Sequence, residues 1–153
     1  MGILEDIKQN KDFKNPYEKL IVNVLYTNNW LLDQQSRLFK DHGITSPQYN
    51  VLRILRGQYP EPCTVNTIID RMLDKMSNAS RIVDRLEAKE LVARTVCASD
   101  RRAKDVVITE RGLQVLEEVD NDLSAWLDKF QSVGKEVAEK ASNTLDSLRE
   151  LSQ

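Results

Sequence analysis

Histidine is almost absent from this sequence, and cysteine, glycine and proline are scarce: one His, two Cys, five Gly and four Pro in 153 residues. Each shortage removes a class of function. The lone histidine, His42, shows no cysteine or carboxylate partner of a catalytic pair nearby in the sequence, and neither a phosphate-cradling glycine loop nor a zinc-ligand cluster is recognisable. An enzyme is therefore not expected, nor is a metal or cofactor site. Cys63 and Cys97 carry no sign of secretion, which points to reduced thiols in the cytoplasm rather than a disulfide. The opening MGILEDIKQNKDF is charged from its fifth residue and has no signal-peptide core, and no later stretch is apolar for the length of a membrane span. So few Gly and Pro also exclude a low-complexity chain, while 41% hydrophobic residues can build a core.

Positive charge is short overall, with a net charge of −2. Its placement is uneven. Residues 45 to 112 hold twelve Lys or Arg against nine Asp or Glu, a local +3 that leaves −5 for the rest. The middle of the chain is thus the candidate electrostatic footprint for an acidic partner.

Apolar residues at Leu20, Ile21, Val24, Leu25, Leu31, Leu32, Leu38 and Phe39 recur at three- and four-residue steps and predict a helix from about Tyr17 to Asp41. Gly43 ends it, and Ser46-Pro47 reads as an N-cap with proline in the first turn of a second helix carrying Val51, Leu52 and Leu55. After the break at Tyr59-Pro60-Glu61-Pro62, where Cys63 is expected to be small and buried, Thr64 caps a short helix with one apolar face of Val65, Ile68, Ile69 and Met72. Ser77 is expected to cap the next, whose Ala79, Ile82, Val83 and Leu86 repeat that spacing. From Leu91 to Val96 and from Lys104 to Ile108 the period changes to two with β-branched enrichment, which predicts a β-hairpin with a basic tip. Thr109 then caps a long helix through Leu113, Leu116, Val119, Leu123, Leu127 and Phe130. Gly134 interrupts it before a last helix bearing Val137, Ala141, Leu145, Leu148 and Leu151. That last seam is too narrow to be buried alone, so the two ends of the chain are expected to form a helical layer that pairs with a second copy.

Helix, turn, helix and basic hairpin in succession make a winged helix-turn-helix, in which the second helix enters the major groove and the hairpin reaches the neighbouring minor groove or backbone. With Ala79, Ile82, Val83 and Leu86 turned inward, the opposite face presents Ser77, Arg81, Asp84 and Ala88, flanked by Asn78, Ser80 and Arg85. Asn78 and Ser80 lie in the first turn, where free N–H groups favour a phosphate, and Arg81 and Arg85 can reach guanine edges or the backbone. Asp84 needs a basic neighbour.

The run MSNASRIVDRLEAKELVARTVCASDRRAKDVVITERG resembles the recognition helix, strand, wing and strand-to-helix step of the MarR (multiple antibiotic resistance regulator) family, and the likeness extends over nearly the whole chain. It implies a mainly α fold with a small antiparallel hairpin wing (α+β), in which a winged core is flanked by long dimerisation helices. The segments it implies are 1–44, an N-terminal dimerisation helix and its lead-in; 45–109, the DNA-binding lobe; and 110–153, C-terminal dimerisation helices. It also implies that Asp100 orients the wing, that Arg102 enters the minor groove, and that Arg101 and Lys104 hold phosphates, while Ser77, Asn78, Ser80, Arg81 and Arg85 face the major groove. The expected partners are duplex DNA and a second copy of the chain, with no membrane. One departure stands out: the family usually has Gly where this chain has Glu90, and a left-handed Glu there costs roughly 1 kcal/mol.

The resemblance further implies a small, often aromatic ligand between the dimerisation helices and the DNA-binding lobe that relieves repression. Tyr17, Tyr26, Trp30, His42 and Tyr49 are the candidates to line its pocket, although aromatics at helical spacing also simply pack. The cysteine of the family's peroxide-sensing branch has no counterpart in NPYEKLIVNVLYTNNW. Cys97, near Arg94 and Arg101, is the one thiol with a basic setting. The alternative of a different class is a winged-helix protein-interaction module without DNA binding, favoured by the acidic balance and opposed by the Arg pair at the wing tip.

Overall fold

The computed structural model describes residues 2–96 and 104–151. Its elements follow in the order α1 (Ile3–Asp6), α2 (Pro16–Asp41), α3 (Ser46–Arg56), β1 (Cys63–Thr64), α4 (Val65–Arg71), α5 (Ala79–Ala88), β2 (Val92–Val96), β3 (Lys104–Ile108) and α6 (Glu110–Asp128); a 3-10 turn (Lys129–Val133) leads to α7 (Lys135–Glu150). The fold is mainly helical with one small antiparallel sheet, in the strand order β1-β3-β2. Val92 pairs with Ile108 and Val96 with Lys104 across the hairpin, and Cys63 pairs with Val106 on the other side of β3.

Local chemistry fixes where the helices begin. Asn15 caps α2, and Thr64 and Thr109 cap α4 and α6 through their side-chain oxygens. Two expected caps move by one residue. Thr45, not Ser46, caps α3, because it forms a reciprocal capping box with Gln48, which places Pro47 in the first turn. Asn78, not Ser77, caps α5 by accepting from Arg81 N at 3.0 Å. Gly43 and Gly134 take the left-handed or related positive-φ conformations that stop α2 and the 3-10 turn.

A single apolar cluster runs from Phe39 at the end of α2 through α3, α4, α5 and the sheet to Leu116 and Val119 of α6. In α3, Tyr49, Val51, Leu52, Ile54 and Leu55 are all buried. The face of α4 is narrower than its spacing suggests: Ile68 and Met72 are buried, whereas Ile69 is exposed. The sheet gains a strand that two residues are too short to announce, but Cys63 is buried in it as expected.

The junction between α5, β2 and α6 positions the hairpin. Glu90 does adopt the left-handed conformation, with φ 60°, and Leu91 N reaches back to Leu86 O at 3.0 Å while Glu90 N reaches Glu87 O at 2.8 Å. This closes α5 with the bond pattern that glycine ordinarily supports. Thr109 Oγ1 donates to Glu90 O, and the Glu90 carboxylate accepts from Arg111 at 2.8 Å. Gly112 makes the contact between α6 and this corner possible: a Cβ there lies 2.3 Å from Leu91 O and 2.7 Å from Ile108 Cγ1.

The flanking helices are different in kind. Of the 26 residues of α2 only Phe39 is buried, and none of α7 is. Leu20, Val24 and Leu31 of α2 line an apolar groove of about 300 Å³ with Leu145 of α7 at its edge. Beside it Ile21, Leu25, Leu32 and Val137 are exposed. Among the described residues no helix is long and apolar enough to cross a membrane.

Candidate nucleic-acid interface

The α4–turn–α5 unit presents one face to solvent. Val83 and Leu86 bury the inner side of α5, Ile82 packs at its margin, and Asn78, Ser80, Arg81 and Arg85 are exposed on the outer side. Neither Arg81 nor Arg85 makes an ion pair among the described residues. Two guanidinium groups one helical turn apart are thus free to bind an anion or a base edge. Asn78 spends its Oδ1 on the helix cap. Ser77, ahead of the cap, is half-buried and donates its hydroxyl to Asp74 Oδ2 at 2.7 Å.

Asp84 and Glu87 sit on the same helix as the free arginines, and as bare carboxylates they oppose a polyanion. Arg94 of β2 reaches both, donating to Asp84 Oδ1 and, at 2.6 Å, to Glu87 Oε2. Its hydrogen bond to Asp84 and the charge of Glu87 raise the Arg94 pKa further above its ordinary value, so it stays charged. This is the basic neighbour that Asp84 needs. The pairing also joins the first wing strand to α5, which makes the orientation of the hairpin and that of the outer face interdependent.

The described residues reach both sides of the wing but not its tip. Lys104 begins β3 opposite Val96, while Asp100, Arg101, Arg102 and Cys97 lie outside the described residues.

The five residues expected around a ligand are dispersed. Tyr17, Tyr26 and Trp30 are exposed on α2, Tyr17 the most, and Trp30 meets Phe130 edge-on at 6.2 Å. Tyr49 is buried, stacked on Phe39 at 4.4 Å, and burial raises the pKa of its hydroxyl. His42 lines a cavity of about 300 Å³ between the ends of α2 and α5 and the start of α6, together with Lys89, Glu90, Arg111 and Val115. Lys89 is held there by Gly43 O at 2.6 Å and Gln48 Oε1 at 3.1 Å. His42 does have acidic partners, invisible in the sequence because they lie on α6: Asp122 at 2.8 Å and Glu118 at 3.8 Å, with the imidazole only 12% exposed. Among the described residues no cluster of His, Cys, Asp and Glu could hold a metal ion.

Helix, turn, helix and antiparallel hairpin on one core define a winged helix-turn-helix protein. Residues 42–103 match the model of the MarR family. The chain is 31% identical over 101 residues to the HTH-type transcriptional regulator MhqR of Bacillus subtilis (strain 168), a match spanning 66% of this chain and 68% of that protein. The same fold is seen in a MarR transcription factor from Planctomyces limnophilus, at 25% identity and a TM-score of 0.67, covering 92% of this chain and 99% of that one. A point mutant of MepR from S. aureus, solved bound to an oligodeoxyribonucleotide, shares the fold at 20% identity and a TM-score of 0.56, over 86% of this chain and 96% of that one. The chain belongs to the MarR family of transcriptional regulators.

Proposed function

We propose that this regulator binds duplex DNA as a homodimer, acts in the cytoplasm as a repressor by covering its operator, and releases it when a small ligand binds. The observation that carries the reading is the outer face of α5, where Arg81 and Arg85 stand exposed, without an ion pair among the described residues, while Arg94 pairs with both neighbouring carboxylates and cancels one of their two charges. A helix so arranged offers donors to base edges and phosphates with little self-repulsion. Asn78 and Ser80 add polar contacts at its N-terminal end, and Arg101, Arg102 and Lys104, with Asp100 orienting them, extend the contact into the adjacent minor groove, where arginine suits the negative potential of a narrow A·T tract.

The second copy is called for by the apolar surface of α2 and α7, which the single chain leaves uncovered. A two-fold dimer through these helices sets two recognition helices against a pseudo-palindromic operator whose half-sites lie about one or more helical turns apart. Repression then needs no further contact, because an occupied promoter excludes polymerase. Segments 1–44 and 110–153 serve the dimer and 45–109 reads DNA. The cavity beside His42 lies where these regions meet, and a ligand seated in it changes the angle between α5 and α6 and thus the spacing of the two recognition helices.

The test is a titration of the protein against duplex from its own upstream region, with scrambled competitor, at two salt concentrations. The expected result is competitor-resistant binding that weakens with salt and falls at least tenfold in Arg81→Ala/Arg85→Ala and in Arg102→Ala, with the dimer intact. Absence of affinity even for random duplex at low salt refutes the reading.

A further inference from the structure

The turn between α4 and α5 inverts the usual arrangement of a surface loop. In Leu73-Asp74-Lys75-Met76 the two charged side chains are engaged by the turn itself and the two apolar ones stand in water. Asp74 accepts from Met76 N at 2.9 Å and from Ser77 Oγ at 2.7 Å, and these bonds, Ser77 first, hold its carboxyl below the usual range. Lys75 Nζ caps the end of α4 through Ile69 O, at 3.3 Å, and Asp70 O. Leu73 N is tied to Asn50 Oδ1 of α3 at 2.9 Å. Leu73 and Met76 are left 88% and 93% exposed, the two most exposed large apolar side chains among the described residues. A second copy on α2 and α7 accounts for Ile21, Leu25, Val137 and Leu145, but not for this pair in the winged lobe.

Met76 lies two residues before Asn78, the cap of α5, at the end of a recognition helix that reaches base edges. A surface meant for phosphate presents cations, and here the available cation is turned back onto α4. The apolar group that base pairs display in the major groove is the 5-methyl of thymine. We infer that Leu73 and Met76 read thymine methyl groups beside the contacts made by Asn78, Ser80, Arg81 and Arg85, and so set operator preference; this rests on the DNA-binding reading above.

The experiment uses the full-length protein and a duplex that it selects from a random pool, prepared once with thymine and once with deoxyuridine, which keeps the pairing and removes the methyl groups. Burying one methyl contributes about fourfold in affinity, so a dimer reading one in each half-site prefers the thymine duplex by about fifteenfold. In Leu73→Ser/Met76→Ser that preference falls to near one while the salt dependence stays unchanged. Met76→Leu retains it, and the thermal midpoint of each variant matches the parent. Equal wild-type affinity for the two duplexes, or a preference that survives the double serine variant, overturns the inference and leaves DNA binding standing. Failure to select any duplex overturns both.

Discussion

The winged core and the helices that flank it are built to opposite standards of closure. In α3 most of the eleven residues face the interior, and α6 approaches the Glu90-Leu91 corner so closely that only glycine fits at position 112. By contrast α2 is more than twice as long and buries one residue, and α7 buries none. The difference lies in burial rather than in helix length or apolar content: the core satisfies itself, and the flanking pair leaves apolar surface exposed, as the proposed dimer requires.

The sharpest way to break this contrast is to disturb the core where it is tightest. Gly112→Ala forces Cβ against a backbone oxygen, and overpacking of that severity is expected to cost about 3 kcal/mol, visible as a large fall in the urea midpoint. The matching change in the flanking layer, Leu25→Asp with Leu145→Asp, should leave the stability of the single chain within about 1 kcal/mol, since both sites are exposed. It should nonetheless turn the proposed dimer into a monomer by sedimentation, and a variant that stays dimeric locates the interface elsewhere. Glu90→Gly sharpens the account of the corner. Relief of the left-handed backbone should stabilise by roughly 0.5–1 kcal/mol, because the Arg111 ion pair lost with it is largely exposed and weak. The smallest effect concerns Asp74. Its carboxyl titrates below the ordinary aspartate value of about 3.9, so the turn is fully held above that pH and loosens only as pH falls through the lower folded value. The Met76 amide resonance should accordingly be constant through the neutral range and shift only in acid.

The same contrast explains what could be read in the amino-acid sequence. Apart from the short α1 and β1, the order of helices and strands was legible because each carries its own periodicity, as in Ala79, Ile82, Val83 and Leu86, and because Thr64, Thr109, Gly43 and Gly134 punctuate it. Arg81 and Arg85 were legible as the outward residues of an amphipathic helix. Caps were less so: Thr45 and Ser46, or Ser77 and Asn78, are adjacent residues of equal capping ability, and the choice turned on Gln48 and on Asp74 claiming Ser77. Long-range partners had no local signature. The bond of His42 to Asp122 spans α2 to α6, and Arg94 finds Asp84 only once β2 folds back along α5. Among the aromatics, Tyr49 is buried on Phe39 whereas Tyr17, Tyr26 and Trp30 are exposed, a difference that helical spacing alone does not announce. Leu73 and Met76 carried no signal, because the period that marks apolar residues as core lapses in a turn.

Division of labour between the two regions is the central claim, and the mass of the protein–DNA complex tests it most directly. Light scattering on the protein bound to its selected duplex should give two chains per duplex for the wild type and, for Leu25→Asp/Leu145→Asp, weak binding of single chains that retain the salt dependence of the parent. A wild-type complex of one chain per duplex, or a monomeric variant that binds as tightly as the parent, contradicts it.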